Sequence, residues 1–214
     1  MRKLLFILCF VVSGLGLKAQ TSSNSEKPSL YFRLGAGYGY RNLEIPVAMT
    51  ADEKNHFENL RNGRSYNFTL GYFVSEDKAV GLVYNRYQTQ QSSAAGNTTW
   101  DSKLSVSFGG VTYQQFIPVG VKRDVNFNFL VGPGMLFFRN DYTKANSATR
   151  VVRSDVNRGV FGGIGGAGLD VKVANGIRWE LNATYTIGSI NEQGGLKENL
   201  NAFTLGTGFR FSFN

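Results

Sequence analysis

Four charged residues stand in alternating segments that carry few other charges, and they are the first candidates for chemistry. Each occupies the polar row of its segment: Arg33, Asp170, Glu180 and Arg210. Guanidiniums and carboxylates enclosed in one narrow space should pair, because an unpaired buried charge is costly. We interpret these residues as structural filling of a closed interior, with a proton or ion path as the alternative.

His56, the single histidine, offers a second kind of chemistry. Glu53, Glu58 and Ser65 are near it in sequence, but a hydrolase needs a serine, a histidine and an acid in fixed geometry. Nothing in the sequence fixes that geometry, so we interpret His56 as a solvated loop residue and predict no catalytic residue, metal or cofactor. Thr50 is expected to cap a short loop helix around His56.

The stretch GIGGAG at 163–168 matches a dinucleotide-binding pattern of glycines. That pattern requires a helix directly afterwards, so that its N-terminus meets the pyrophosphate. The residues that follow, LDVKVANG, indicate the end of a strand and a turn. Nucleotide binding is therefore not predicted.

These residues must be positioned by strands, since apolar and polar residues alternate along most of the chain. Eight such segments are apparent: 30–41, 64–74, 79–88, 103–117, 124–138, 159–173, 177–188 and 201–214. In the fourth segment the apolar row changes parity at Gly109–Gly110, which predicts a β-bulge there.

The connections between the segments alternate strictly between long and short. The long ones are 42–63, 91–101, 139–155 and 189–199, and the short ones are 75–78, 118–123 and 174–176. An up-and-down barrel with turns on one rim and loops on the other predicts this pattern. We therefore predict an all-β fold, an eight-stranded antiparallel up-and-down barrel.

The composition of the two rows indicates which one faces outward. The polar rows hold serine, threonine, asparagine and glycine with few charges, unlike a surface in water. The apolar rows are rich in Phe and Tyr near the strand ends, which suits two membrane interfaces. The prediction is a transmembrane β-barrel in which Glu180 pairs with Arg33 and Arg210, and Asp170 lies close by.

The chain resembles the small eight-stranded outer-membrane barrels, those similar to the OmpA transmembrane domain and to OmpX, in the porin-type outer membrane protein beta-barrel family. The resemblance covers about residues 30 to 214 and rests on the pattern of strands. It implies that the alternating aromatics Phe209, Phe211 and Phe213 form a C-terminal signal for the barrel-assembly machinery. The chain departs from the family at Asn214, where an aromatic residue is usual.

The first residues predict export. Residues 1–20 have a basic start and a short apolar run, typical of a secretory signal peptide, and residues 21–29 form a polar leader before the barrel domain at 30–214. Removing Arg2, Lys3 and Lys18 lowers the net charge from +8 to +5. Anionic outer-membrane lipid and lipopolysaccharide suit that charge better than nucleic acid. A contact loop for lipopolysaccharide would use four cations: Arg139, Lys144, Arg150 and Arg153.

The resulting expectation is a monomeric, non-enzymatic protein of the outer membrane of a Gram-negative bacterium. Its role would be structural, adhesive or interactive and would depend on the long extracellular loops. A narrow porin-like channel is the alternative, and an enzyme that modifies lipid A is a third. The sequence names neither a loop ligand nor a biological process.

Overall fold

The computed structural model describes residues 30–43, 49–120, 124–146, 150–191 and 197–213. The signal peptide and leader predicted at 1–29 lie outside them. The described elements are β1 (Leu30–Arg41), α1 (Ala51–Asn59), β2 (Asn62–Phe73), β3 (Lys78–Ala95), β4 (Thr98–Val119), β5 (Val125–Asn146), β6 (Arg150–Ala174), β7 (Ile177–Ile187), β8 (Ser189–Asn191), β9 (Lys197–Asn199) and β10 (Ala202–Phe213).

Eight of the strands close into a barrel in the order β1-β10-β7-β6-β5-β4-β3-β2, and every neighbouring pair is antiparallel. The barrel closes where β1 pairs with β10, from Leu30 opposite Phe213 to Arg41 opposite Ala202. The remaining strands, β8 and β9, form a small separate hairpin. The predicted eight-stranded up-and-down barrel is confirmed.

The apolar rows face outward, as predicted. On β1, Leu34 and Tyr38 are exposed while Tyr31 and Arg33 are buried in the interior. The same alternation runs along β10, where Phe209 is exposed and Arg210 is buried. Because a one-residue shift of register would reverse every side chain, this consistent parity fixes which groups share the interior.

Four strands are much longer than the others. The lengths are 18, 22, 22 and 25 residues for β3, β4, β5 and β6, against 11 or 12 for the other barrel strands. The predicted long loops at 91–101 and 139–155 are therefore wrong: the strands pair up to Ala95 opposite Thr98 and Asn146 opposite Arg150. These hairpins extend beyond the lipid and therefore lack an apolar outward row. Without that row, the sequence does not show the alternation that predicts a strand.

The predicted bulge at Gly109–Gly110 is also wrong. The pairing of β4 with β3 runs through both glycines without a shift. Phe108 and Phe116 are both buried in the interior, so even-numbered residues face inward on either side of the glycines. The apolar row changes side because the upper part of β4 has an apolar core inside it and no lipid outside. Among the described strands, a register irregularity lies instead between Lys172 and Ala174.

The predicted loop helix is present as α1. Thr50 is its N-cap, and the Thr50 hydroxyl accepts a hydrogen bond from the Glu53 amide at 3.3 Å. Asp52 and Glu53 lie in the first turn, where they oppose the positive end of the helix dipole. Within the described residues, no helix has the length and apolar character needed to cross a membrane.

Candidate functional site

The four charged residues of the alternating segments meet in the barrel interior. Arg33 on β1 lies directly opposite Arg210 on β10, and Asp170 on β6 lies directly opposite Glu180 on β7. All four are at most 3% exposed. Since β7 also pairs with β10, the two carboxylates and the two guanidiniums come from four consecutive strands of the barrel wall.

The charges form one connected network. Arg33 contacts Glu180 through Nη2 to Oε1 at 3.0 Å and through Nε to Oε2 at 2.5 Å. Arg210 contacts the same Glu180 at 3.4 Å and donates a short hydrogen bond to Asp170. Each carboxylate therefore has an arginine partner, which offsets the cost of removing it from water.

Sequence reasoning missed one member of this network, Arg178. Its Nε donates to Asp170 Oδ1 at 2.7 Å. Arg178 stands two residues before Glu180 on the same polar row, so the parity that selected Glu180 would also have selected Arg178. With it, ion pairs among the described residues join three guanidiniums to Asp170 and Glu180.

Aromatic rings pack around the cluster on the side of the short turns. The Arg210 guanidinium lies 4.2 Å from the centre of the Phe116 ring and less than 6 Å from those of Phe73 and Tyr31. Next to these rings is a cavity of about 210 Å³ that Arg178 and Lys172 also line. Rings and guanidinium pack together at this end of the barrel, and the stacking is favourable for a desolvated cation.

The interior above the charge cluster is polar, and higher still it is apolar. Asn85 donates to Thr184 at 3.0 Å, and the Thr184 hydroxyl lies 2.5 Å from that of Thr204. Toward the long-loop rim follows an apolar plug, which includes these buried side chains: Tyr87, Leu104, Val106, Phe108, Leu136 and Phe138. The Tyr87 hydroxyl donates to the Leu60 carbonyl at 2.7 Å, which ties the plug to the residue that ends α1.

The interpretation of His56 as a solvated residue is wrong, because this side chain is only 1% exposed. Its Nδ1 lies 2.6 Å from the Ser93 hydroxyl and its Nε2 lies 2.8 Å from the Ser102 hydroxyl. Both serines belong to the β3–β4 hairpin that the sequence reading took for a loop. His56 therefore docks α1 onto the inner face of that hairpin.

Further contacts hold α1 in this position. Glu53 accepts hydrogen bonds from Lys144 at 3.2 Å and from Tyr142 at 3.4 Å, both on β5. Phe57 stacks on the Tyr142 ring at 5.7 Å. Burial lowers the pKa of His56, and the nearby carboxylates of Asp101 and Glu53 oppose that shift.

These contacts do not give His56 the geometry of a catalytic residue. Among the described residues, both ring nitrogens contact serines and neither contacts an acid. Glu58 is half-buried on α1, and Ser65 is buried on β2 opposite Tyr87. The described residues also contain no group of acids and histidines that could hold a metal ion. The contacts of His56 with the two serines hold α1 against the β3–β4 hairpin.

The four cations of the predicted lipopolysaccharide contact do not form one patch. Arg139 points outward and pairs with Asp141 at 3.2 Å, whereas Lys144 contacts Glu53. Arg153 is exposed on β6. Arg150 pairs with Asn146 through the backbone, and its side chain is outside the described part of the chain.

The aromatic residues of the proposed C-terminal signal lie on β10. Phe209 and Phe213 are 46% and 53% exposed, and Phe211 packs against Phe32 and Phe209 on the outer wall. The glycine-rich stretch 163–168 lies within β6. No helix follows it, so the stretch lacks the structure that a dinucleotide-binding glycine motif requires.

Sequence comparison decides the family. The family model for the outer membrane protein beta-barrel domain matches residues 7–211. The chain belongs to this family. As a member of the outer membrane protein beta-barrel family, it is a bacterial outer-membrane protein. A search of characterised protein sequences finds no significant match.

Solved structures of other barrels share the fold at low identity. Neisserial surface protein A is 17% identical, with 86% of this chain and 97% of that chain aligned at a TM-score of 0.51. OprG from Pseudomonas aeruginosa is 13% identical over 88% and 98%, with a TM-score of 0.49. Ail of Yersinia pestis is 16% identical over 86% and 99%, with a TM-score of 0.45. At these identities the likeness concerns the fold alone.

Proposed function

We propose that this barrel is a non-conducting surface protein whose four long strands bind an extended polypeptide outside the cell. The observation that carries the proposal is a contrast within one molecule. The interior is filled at two levels, while β3, β4, β5 and β6 continue together well past the other strands. We call the extended part of these four strands the projecting sheet. It comprises residues 89–95 of β3, residues 150–162 of β6 and the parts of β4 and β5 that lie between them.

The filled interior argues against transport. An eight-stranded barrel is only wide enough for its own side chains. Here an ion would have to displace both the paired arginines around Glu180 and the apolar plug around Phe108 and Leu136. Breaking a buried ion pair and wetting an apolar core are both costly.

The projecting sheet has the geometry of a binding surface. On the β6 edge, pairing with β7 begins only at Gly163 opposite Ile187, so residues 150–162 have no ladder partner on that side among the described residues, and β8 contacts β6 without pairing with it. An exposed strand edge presents free N–H and C=O groups that can pair with an extended segment of another protein. The other edge, formed by residues 89–95 of β3, is next to docked α1.

The experiment shortens the projecting sheet and leaves the barrel intact. Residues 90–103 and 141–155 are each replaced by a two-residue Asn-Gly turn, and heat-dependent gel mobility reports whether the barrel still closes. Cells that display the full chain should attach to other cells or to protein-coated surfaces more than cells with the shortened chain. Equal attachment by cells with a closed, shortened barrel would contradict the proposal.

A narrow channel is the second candidate, and one observation favours it. Several buried amide atoms of the polar mid-section have no hydrogen-bond partner among the described residues, including those of Asn67, Asn128 and Asn182. Buried polar atoms of this kind often bind ordered water, which a proton path needs. Planar bilayers separate the two functions, because the full chain should add no ionic current to that of bare lipid.

A further inference from the structure

The outer wall carries a basic groove that neither the charge cluster nor the projecting sheet explains. It has a volume of about 500 Å³ and crosses the outer faces of β1, β2, β3 and β4. Three cations line it: Arg64 on β2, Arg86 on β3 and Lys103 on β4. Tyr38, Gln88 and Gln90 supply further polar groups. We call it the basic groove.

The strand register explains why these side chains meet. The outward row of β3 runs from Arg86 through Gln88 to Gln90. Gln88 lies directly opposite Arg64 on β2, and Gln90 lies directly opposite Lys103 on β4. The three cations therefore follow the groove on adjacent strands, from the level of residue 86 to that of residue 90 on β3, about 13 Å.

The cations of the basic groove differ from Arg33, Arg178 and Arg210 of the charge cluster, each of which contacts a carboxylate. No described residue forms a salt bridge or hydrogen bond with the side chains of Arg64, Arg86 or Lys103. The Nε of Arg86 is buried and has no hydrogen-bond partner in the described chain. Asp141 lies opposite Lys103 across β4 and β5, but its carboxylate pairs with Arg139 at 3.2 Å.

The groove lies at the level where the lipid headgroups meet the barrel. Arg64 stands two residues beyond Tyr66 on β2, and Arg86 stands two residues beyond Tyr84 on β3, in both cases toward the long-loop rim. Tyr66 and Tyr84 are exposed on the outer wall and belong to the aromatic girdle that marks a membrane interface. In this family the long-loop rim faces outside the cell, so the groove meets the outer leaflet.

We propose that the basic groove binds the phosphate groups of a phosphorylated glycolipid of the outer leaflet. Two guanidiniums and an ammonium without internal partners are suited to phosphate oxygens, and arginine can bind them in a bidentate manner. The amides of Gln88 and Gln90 can donate to sugar hydroxyls between the phosphates. The position of the groove on the lipid-facing wall favours a membrane lipid over a soluble anion.

The binding of lipid A tests the proposal. The full chain, refolded in detergent micelles, is titrated with bisphosphorylated lipid A and with the same lipid after enzymatic removal of its phosphates, and occupancy is read by native mass spectrometry. The phosphorylated form should bind at least about tenfold more tightly, the effect of one charge-assisted hydrogen bond. Equal binding of the two lipids would overturn the proposal.

A matched pair of variants locates the site. The first combines Arg64→Gln, Arg86→Gln and Lys103→Gln, and the second removes three exposed cations elsewhere: Lys54→Gln, Lys78→Gln and Arg158→Gln. Both change the net charge equally, and none of the six side chains is buried. Only the groove variant should lose the preference for phosphate, and an equal loss in both would reduce the effect to overall charge.

Two further measurements complete the test. The single variant Arg86→Gln should weaken lipid A binding while heat-dependent gel mobility stays unchanged, which separates recognition from folding. Glucosamine 1-phosphate, a soluble phosphosugar, should not compete with lipid A at equal concentration. Effective competition by the soluble sugar would overturn the assignment to a membrane lipid.

Discussion

Arg33 and Arg210 lie directly opposite each other across the seam of the barrel, yet both reach the same carboxylate, Glu180. Two arginines in register on neighbouring strands would repel each other if no anion lay between them. Glu180 supplies that anion, and it is fully buried. The closure of β1 on β10 is therefore linked to a charge on a third strand, β7.

Replacement of Glu180 by alanine should destabilise the barrel strongly. The variant leaves Arg33 without its carboxylate in a closed interior, and breaking a buried pair in this way costs about 3–5 kcal/mol. Urea unfolding in lipid vesicles, followed by tryptophan fluorescence, measures the change in free energy. Asp155→Ala removes an exposed carboxylate and should change the same quantity by less than about 1 kcal/mol. Equal midpoints for Glu180→Ala and the wild type would contradict the role of the cluster.

Removing both partners should cost less than removing one. In the double variant Arg33→Met and Glu180→Met, no unpaired charge is created at Arg33, and Asp170 still pairs with Arg210 and Arg178. The double variant should therefore be more stable than the sum of the two single changes predicts, by about 1–3 kcal/mol. The combination of Arg33→Met with Asp155→Ala should be additive, and additivity in both pairs would argue against direct coupling.

The fold and four of the five members of the charge cluster could be predicted from the sequence because both follow from parity. Period-two alternation assigns each residue to one of two faces, and the alternating loop lengths assign each strand its neighbours. Glu180 and Arg210 are 30 positions apart in sequence, but parity and strand order were enough to bring them together. The parity can be recognised in the sequence because the outward row faces lipid and is therefore apolar, while the inward row is polar.

The burial of His56 and the projecting sheet could not be predicted, because the signal of parity ends where the lipid ends. Ser93 and Ser102 stand in strands that have polar residues on both faces, which look like a loop in the sequence. The partners of His56 are 37 and 46 residues away from it, so no local pattern connects them. In this part of β4, apolar residues such as Leu104 face the barrel interior. That change of side produced the sequence pattern that predicted a β-bulge.

Close approach of the strands at the seam makes Gly208 intolerant of any side chain. A Cβ added there would overlap the carbonyl oxygen of Leu34 and lie 2.7 Å from the Cα of Gly35, and neither backbone atom can move cheaply. We expect Gly208→Ala to lower the fraction of chains that refold into the heat-modifiable form. Gly109→Ala is the matched control, since an added Cβ at Gly109 meets nothing within 4 Å. Identical refolding yields would show that the seam can relax.

The docking of α1 should weaken in acid. Burial lowers the pKa of His56 in the docked state, whereas a detached α1 would restore its ordinary value of about 6.5. The detached state then binds the proton more tightly, so docking is complete above pH about 6.5 and is progressively lost as the pH falls below it. The charged groups near the histidine are Glu53 and Asp101, whose carboxylates act on it, and Lys144, which contacts Glu53.

Hydrogen exchange of the α1 amides, corrected for the intrinsic effect of pH, measures this opening. Protection should fall between pH about 7.5 and pH about 5.5 in the wild type, while the amides of β1 and β10 keep theirs. His56→Gln retains a side chain that can hydrogen-bond to Ser93 or Ser102 but cannot be protonated, so its protection should be the same at both values. If the glutamine variant opened in acid as the wild type does, another group would control the docking, and Glu53 with its partner Lys144 would be the next to replace.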